Sequence, residues 1–185
     1  PSSPASPRPP ATEQPVDAHG LRQDWLGLRD THDFFPMLRR HKATRRQAFR
    51  LAGEDLALPL SPDAAAATLT LAAEMAVPIM CFVGNPGGIQ IHTGPVSRLV
   101  RTGPWFNVLD PDFNLHLSEP GVVQAWRVVK PTEDGAVTSI ELLDAAGETI
   151  ALLFGARKPG QAEREEWREL VSRVAERHAV TEPAA

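Results

Sequence analysis

One histidine is a candidate for chemistry because of the side chains around it. His32 lies in segment 31–36 (THDFFP), among aromatic residues, and two arginines follow in segment 44–47 (TRRQ), about two helical turns downstream of the aromatics. Imidazole is a good ligand for haem iron, and a guanidinium group pairs with a carboxylate through two parallel hydrogen bonds. This combination fits a flat, apolar ligand that carries carboxylates, such as haem.

Two other histidines lie in segments that alternate between apolar and polar residues, as strands do. In 88–92 (GIQIH) and 113–117 (FNLHL), His92 and His116 fall on the polar side of their strands. They form either a metal-binding pair or part of a solvated face that contacts another sheet or a second copy of the chain. Because no carboxylate or thiolate follows at ligand spacing, the second interpretation is favoured.

Composition indicates one soluble globular domain. The chain has 185 residues, of which 42% are hydrophobic and 23% charged, and its net charge is −4. This charge, without a long run of lysine or arginine, predicts no nucleic-acid partner. The longest apolar run, 76–83, is too short for membrane insertion, and the single cysteine, Cys81, fits packing in a reducing cytoplasm.

The chain divides into three parts. Residues 1–17 are rich in proline, serine and alanine and are expected to form a disordered linker. Residues 18–180 are expected to form the folded domain, and 181–185 a frayed tail. Because the chain begins with Pro1 and such a linker, we expect it to be a piece of a longer protein.

The order of patterns predicts an α+β fold. Helices are expected in the first third, where Leu21, Trp25 and Leu28 share one stripe, and Asp33, Thr44 and Ser61 are placed to cap further helices. Between 79 and 154 the period changes to two, which predicts about seven or eight strands in an antiparallel meander. Residues 162–178 predict a closing helix, with an apolar stripe at helical spacing.

Four further motifs follow the His32 segment along the chain. They are 82–85 (FVGN), 103–108 (GPWFNV), 130–135 (KPTEDG) and 154–161 (FGARKPGQ). In this order and spacing, together with the His32 segment, they resemble the cytoplasmic haem-utilisation family of bacteria, the hemin transport proteins and hemin-degrading factors, over about residues 21–174. The match is to the C-terminal half of that family's two-repeat architecture.

The resemblance implies non-covalent, b-type haem and a set of site residues in the domain at 18–180. His32 matches the axial ligand of the iron, against the simpler alternative of a capping or partly buried histidine. Arg45 and Arg157 match contacts to the haem propionates, with surface charge as their alternative. The remaining matches are a pocket lysine, a residue packed on the macrocycle, and two positions where relatives often carry Gln and Tyr: Lys130, Phe82, Leu152 and Phe154.

Two functions follow from the resemblance. The first is a cytoplasmic carrier that sequesters imported haem and hands it to a haem oxygenase or another acceptor for iron utilisation. The second is reductant-dependent oxidative opening of the porphyrin, with electrons from a partner, so that enzyme activity stays open. A missing N-terminal repeat or a homodimer is expected to complete the site, and an α+β domain that binds only another protein is the third alternative. No sequence motif of a P-loop, a dinucleotide fingerprint or a serine-hydrolase elbow appears.

Overall fold

The computed structural model describes residues 12–85 and 87–185 of the chain. The helices of this part are α1 (Ala18–Leu26), a 3₁₀ turn (Thr31–Asp33), α2 (Phe34–Arg40), α3 (Arg45–Leu51), α4 (Ala64–Glu74) and α5 (Glu165–His178). The strands are β1 (Ala57–Leu60), β2 (Ile79–Asn85), β3 (Gly88–Gly94), β4 (Leu99–Thr102), β5 (Trp105–Asp110), β6 (Phe113–Ser118), β7 (Gln124–Thr132), β8 (Gly135–Leu143) and β9 (Thr149–Gly155).

The strands form two antiparallel sheets. The larger has six strands in the order β1-β7-β8-β9-β2-β3, and the smaller has three in the order β4-β5-β6. Consecutive strands pair in each sheet, and the larger sheet is completed where β9 pairs with β2 and β1 pairs with β7. The α+β prediction is confirmed, and the eight strands from β2 to β9 agree with the seven or eight expected between residues 79 and 154.

The two faces of the large sheet carry separate cores. One face packs against α4, α5 and the small sheet, and its buried side chains include Cys81, Ile140 and Leu153. The other face packs against α1, α2 and α3 through Trp126 and Val128. Because successive residues of a strand point to opposite faces, each strand of this sheet contributes to both sides.

Aromatic packing fixes α2 and α3 on the sheet. The ring of Phe34 meets that of Trp25 edge-on at 4.8 Å between centroids, and the rings of Phe49 and Trp126 lie 5.5 Å apart. Trp25 also donates a 2.8 Å hydrogen bond from Nε1 to the carbonyl of Val129 in β7. Such ring pairs contribute about 0.5–1.5 kcal/mol each beyond the area that they bury. Helices α1 and α2, which flank His32, and α3, which begins with Arg45, are therefore held firmly.

The helix caps confirm one prediction and correct another. Thr44 forms the expected capping box with Gln47 at the start of α3. Asp33 precedes α2, but its side chain makes no capping hydrogen bond. The cap belongs instead to Asp30, whose backbone is extended and whose carboxylate accepts from the N–H of His32.

The ends of the domain make contacts within the described residues. Glu13 forms ion pairs with Arg46 and Arg50 of α3. At the other end, Gln124 donates a 2.6 Å hydrogen bond to the carbonyl of Ala184. The predicted linker at 1–17 lies outside the described residues as far as residue 11, and the boundaries at 17 and 181 stay predictions.

The longest helix of the described residues, α5, has 14 residues, whereas a helix that crosses a bilayer needs about 20. Among the described residues, no helix is both long and apolar enough to cross a membrane.

Candidate functional site

His32 is presented to solvent by the turn that precedes α2. Its side chain is 94% exposed. The Asp30 carboxylate lies 2.7 Å from the backbone N–H of His32 and 2.7 Å from ring atom Nδ1. Because an ionised carboxylate only accepts hydrogen bonds, Nδ1 of the neutral ring carries the proton and Nε2 keeps a free lone pair. An imidazole oriented in this way is prepared to bind a metal ion through Nε2.

The surroundings of Asp30 lower the pKa of its side chain and so keep the carboxylate ionised. The hydrogen bond from the backbone N–H of His32 is the largest cause that lowers the pKa of Asp30, and the His32 ring adds to it. The positive charge of Arg157 lowers this pKa further. Arg157 is therefore close enough to Asp30 to act on the same turn electrostatically.

Contacts from the sheet hold this turn in place. The backbone N–H of Glu133, between β7 and β8, donates a 2.9 Å hydrogen bond to the carbonyl of Arg29. Beyond β9, Nη1 of Arg157 lies 3.3 Å from an Asp134 carboxylate oxygen and donates a 2.9 Å hydrogen bond to the carbonyl of Gln161. His32 thus lies beside the β7–β8 turn, near the end of β9.

Glu141 of β8 is the centre of a buried charged cluster, which comprises Glu141, Arg45, Lys130 and Ser139. The Glu141 side chain is fully buried, and one of its oxygens accepts from Nη1 of Arg45. The other oxygen accepts from Nζ of Lys130 at 2.8 Å and from the hydroxyl of Ser139 at 3.0 Å. Both carboxylate oxygens are therefore occupied, as a buried charge requires.

The electrostatics of this cluster keep the carboxylate ionised. Burial alone raises the pKa of Glu141, but the attraction of Lys130 and Arg45 outweighs it and holds the pKa at about 2. Burial lowers the pKa of Lys130, and the positive charge of Arg45 lowers it further, while the attraction of Glu141 opposes both. The ring of Phe34 supports both cations, with Lys130 Nζ 4.4 Å and Arg45 Cζ 5.2 Å from its centroid.

An apolar platform lies next to this cluster on the same face of the sheet. In the register of β2 with its neighbours, Phe82 stands between Leu152 of β9 and Ile91 of β3. The rings of Phe82 and Phe154 meet edge-on with centroids 5.5 Å apart. Phe82, Leu152 and Phe154 are half-buried, and Ile91 is 59% exposed. Helices α1–α3 cover the β1–β7–β8 side of this face, so the platform on β9, β2 and β3 remains accessible.

A cavity of about 340 Å³ opens between α2, α3 and the turn that joins β8 to β9. The residues that line it include the apolar Phe35 and Leu38, three arginines and one acidic residue: Arg39, Arg45, Arg46 and Glu148. An apolar wall that carries cations suits a ligand with an apolar body and an acidic edge. His32 is not part of this wall and lies on the N-terminal side of α2.

The residues predicted from the sequence lie on or beside one face of the large sheet, although their elements are far apart in the chain. Lys130 differs from the expectation in one respect, because its side chain is only 4% exposed. Sequence reasoning missed Asp30 and Glu141, which orient the predicted residues. The roles of the predicted set toward a ligand remain predictions: His32, Arg45, Phe82, Lys130, Leu152, Phe154 and Arg157.

His92 and His116 do not form a pair. The His92 ring packs against Phe113 at 5.3 Å between centroids, which is the expected contact with another sheet. On β6, His116 alternates with Phe113 and points to the opposite face, where its Nδ1 lies 2.7 Å from the Asn107 side-chain oxygen. Across the described part of the chain, no three histidine, cysteine or acidic side chains are grouped as metal ligands.

Comparison with known proteins identifies the family. Residues 42–174 match the haemin-degrading HemS.ChuX domain. The chain belongs to this family. The predicted resemblance is thereby confirmed, and the family is one of haem binding and haem utilisation.

Three relatives illustrate the similarity. The hemin transport protein HemS of Yersinia enterocolitica is 40% identical over 173 residues, which cover 94% of this chain and 49% of HemS. Holo-PhuS, a heme-binding protein from Pseudomonas aeruginosa, has a TM-score of 0.84 and 52% identity, over 89% of this chain and 49% of PhuS. ChuS, an E. coli heme oxygenase, has a TM-score of 0.83 and 41% identity, over 89% of this chain and 50% of ChuS. The chain therefore spans about half the length of these relatives.

Proposed function

We propose that this domain binds haem non-covalently, as b-type haem, with Nε2 of His32 as the axial ligand of the iron. The observation that carries this proposal is the state of His32, whose ring is 94% exposed while Nδ1 is held by Asp30. A single histidine oriented by a carboxylate is sufficient to hold haem iron. Bound haem supplies the iron chemistry, and the protein supplies the ligand, the orientation and the surrounding charge.

The platform and the cations fit the rest of the molecule. Phe82, Leu152 and Phe154 offer apolar contact to the macrocycle, and Arg45 and Arg157 offer guanidinium groups to the propionates. Lys130 belongs to the same buried cluster as Arg45, where it pairs with Glu141. The single cysteine, Cys81, is fully buried in β2, and burial raises the pKa of its thiol to about 12, so attachment through a thioether is not available to it.

The biological role that we propose is that of a cytoplasmic carrier, which sequesters imported haem and transfers it for iron utilisation. Similarity to the hemin transport protein HemS and to the heme-binding protein PhuS supports this role. The acceptor is a haem oxygenase or another haem-accepting protein. Release to an acceptor is compatible with a site that lies on an accessible face of the sheet.

Haem degradation is the second candidate, and the similarity to the heme oxygenase ChuS favours it. The two functions are separated by incubating the haem complex with a reductant, with and without catalase. Product that forms at the same rate with catalase present indicates turnover by the protein. Complete protection by catalase indicates attack by free peroxide and leaves the carrier role.

The side of the haem opposite His32 needs a second surface. We propose that either a second repeat of the fold or a second copy of the domain provides it, in keeping with relatives about twice as long as this chain. Sedimentation at tens of micromolar, with and without haem, tests the second copy. A monomer under both conditions removes the homodimer.

Titration with haem, followed by the Soret band, tests the proposed binding. Wild type should give a saturable band, and His32→Ala should shift or abolish it. His92→Ala is the matched control, because His92 is half-buried against Phe113 on the other face of the large sheet. A normal band with His32→Ala and a lost band with His92→Ala would reject the assignment of the ligand.

A further inference from the structure

The contacts of Lys130 and Arg45 differ in a way that matters for ligand binding. The Lys130 side chain is 4% exposed, and its ammonium group is enclosed by Glu141 at 2.8 Å and the Phe34 ring at 4.4 Å. The Arg45 side chain is 20% exposed. Of these two cations, only Arg45 therefore has an edge that a ligand reaches without rearrangement of the fold.

Arg45 is held at several points but keeps donors for a ligand. Among the described residues its hydrogen bond runs from Nη1 to Glu141, and its Cζ lies 5.2 Å from the Phe34 centroid and 6.0 Å from that of Phe49. A guanidinium group has five N–H donors in one plane. The N–H groups on Nη2 and Nε are thus left in a fixed orientation, which suits paired contact with a carboxylate.

The charges of the cluster do not balance. Arg45 and Lys130 are cations and Glu141 is the one carboxylate bonded to them, which leaves one positive charge beside the platform. A propionate would supply the second carboxylate. Glu141 already compensates the positive charge of the Lys130 ammonium group inside the cluster. The remaining positive charge is therefore available at the exposed edge of Arg45.

We propose that Glu141 is a positioning residue, which aims Arg45 at a haem propionate, while Lys130 is the internal counter-charge of Glu141 and does not itself touch the ligand. This inference rests on the proposed binding of haem. It adds a residue that the sequence analysis did not select, and it changes the role expected for Lys130 from direct contact to support.

The first test compares Lys130→Met with Arg45→Ala in the full 185-residue chain, by haem titration. Lys130→Met leaves a neutral Glu141–Arg45 pair and keeps a similar volume, so the domain should fold. Loss of the Arg45 contact should weaken binding by about 10- to 100-fold. Lys130→Met removes the excess positive charge of the cluster but no contact with the ligand, so it should weaken binding by no more than about threefold. Equal losses in the two variants would overturn the proposal, because Lys130 would then matter to the ligand as much as the contacting residue does.

The second test asks whether Arg45 depends on Glu141. The double variant Glu141→Leu with Lys130→Met removes one charge of each sign together with the acceptor of the Arg45 hydrogen bond, and Arg45→Ala is then added to it. If Glu141 aims Arg45, the further loss on adding Arg45→Ala should be less than about threefold, in contrast to its effect in wild type. The same factor in both backgrounds would overturn the positioning role, since a residue that is only structural leaves the effect of Arg45 unchanged.

Two controls make the outcome unambiguous. The Soret maximum should stay at the wild-type position in every variant that retains His32, since the iron ligand is untouched. Thermal unfolding reports whether each variant folds. If the double variant does not fold, the comparison of Lys130→Met with Arg45→Ala decides whether the proposal stands. Absence of a Soret band in wild type would overturn both this inference and the proposed function, whereas normal wild-type binding with equal losses overturns this inference alone.

Discussion

The two hydrogen bonds of Asp30 to His32 should control haem affinity. Both are 2.7 Å long, one to the backbone N–H and one to Nδ1. Asp30→Ala removes the partner that fixes the proton on Nδ1 and the orientation of an otherwise exposed ring. Loss of such a partner of a metal-binding histidine typically weakens binding by about 10- to 100-fold. Asp30→Asn keeps an acceptor oxygen but loses the charge, so its effect should be intermediate.

The assay is haem titration of both variants, with unfolding in urea to measure stability separately. Loss of the cap should cost about 1 kcal/mol of stability, too little to unfold the domain. Asp33→Ala is the matched control, because Asp33 lies in the same turn and its side chain makes no capping hydrogen bond. Equal haem affinity for Asp30→Ala and Asp33→Ala would refute the reasoning.

Three further results are expected. The pKa of Glu141 is held at about 2, against an ordinary 4.5, so its contribution to stability should be complete above pH 4.5 and lost as the pH falls toward 2. The free energy of unfolding, measured in urea, should fall by on the order of 3 kcal/mol over this pH range. An equally steep fall in Glu141→Gln would contradict this prediction. Gly155→Ala should destabilise the fold by roughly 1–3 kcal/mol in thermal unfolding, because the new Cβ would lie 2.6 Å from Trp167 Cγ. Arg157→Ala should weaken haem binding by about tenfold in the Soret titration, and unchanged affinity would leave Arg157 as a surface ion pair with Asp134.

Local signals predicted much of the fold. The capping box at Thr44 needs only four neighbouring residues, and the alternation in β2 and β9 places Phe82, Leu152 and Phe154 on one side of their strands. The strand β1 was not predicted, because its four residues follow a helix and pair with β7, more than sixty positions away. Pairing at such distance leaves no mark in a short apolar segment.

The supporting residues of the site were harder to predict. Asp30 and Asp33 are equally good caps by residue type, and only the backbone distinguishes them, since Asp30 is extended and Asp33 is helical. Glu141 is a polar residue in an apolar strand, which is a signal, but its partner Arg45 lies 96 positions away. An acidic residue in an otherwise apolar strand must find a cation when the strand is buried, so this pattern would have suggested a partner among the arginine and lysine residues of other elements.

Rescue of a cavity variant by free imidazole tests the central claim most directly. His32→Gly removes the ring, and added imidazole should restore the wild-type Soret band by occupying the vacated position on the iron. His92→Gly should already have the wild-type band, and imidazole should leave it unchanged. If His32→Gly shows the wild-type band before imidazole is added, His32 is not the iron ligand.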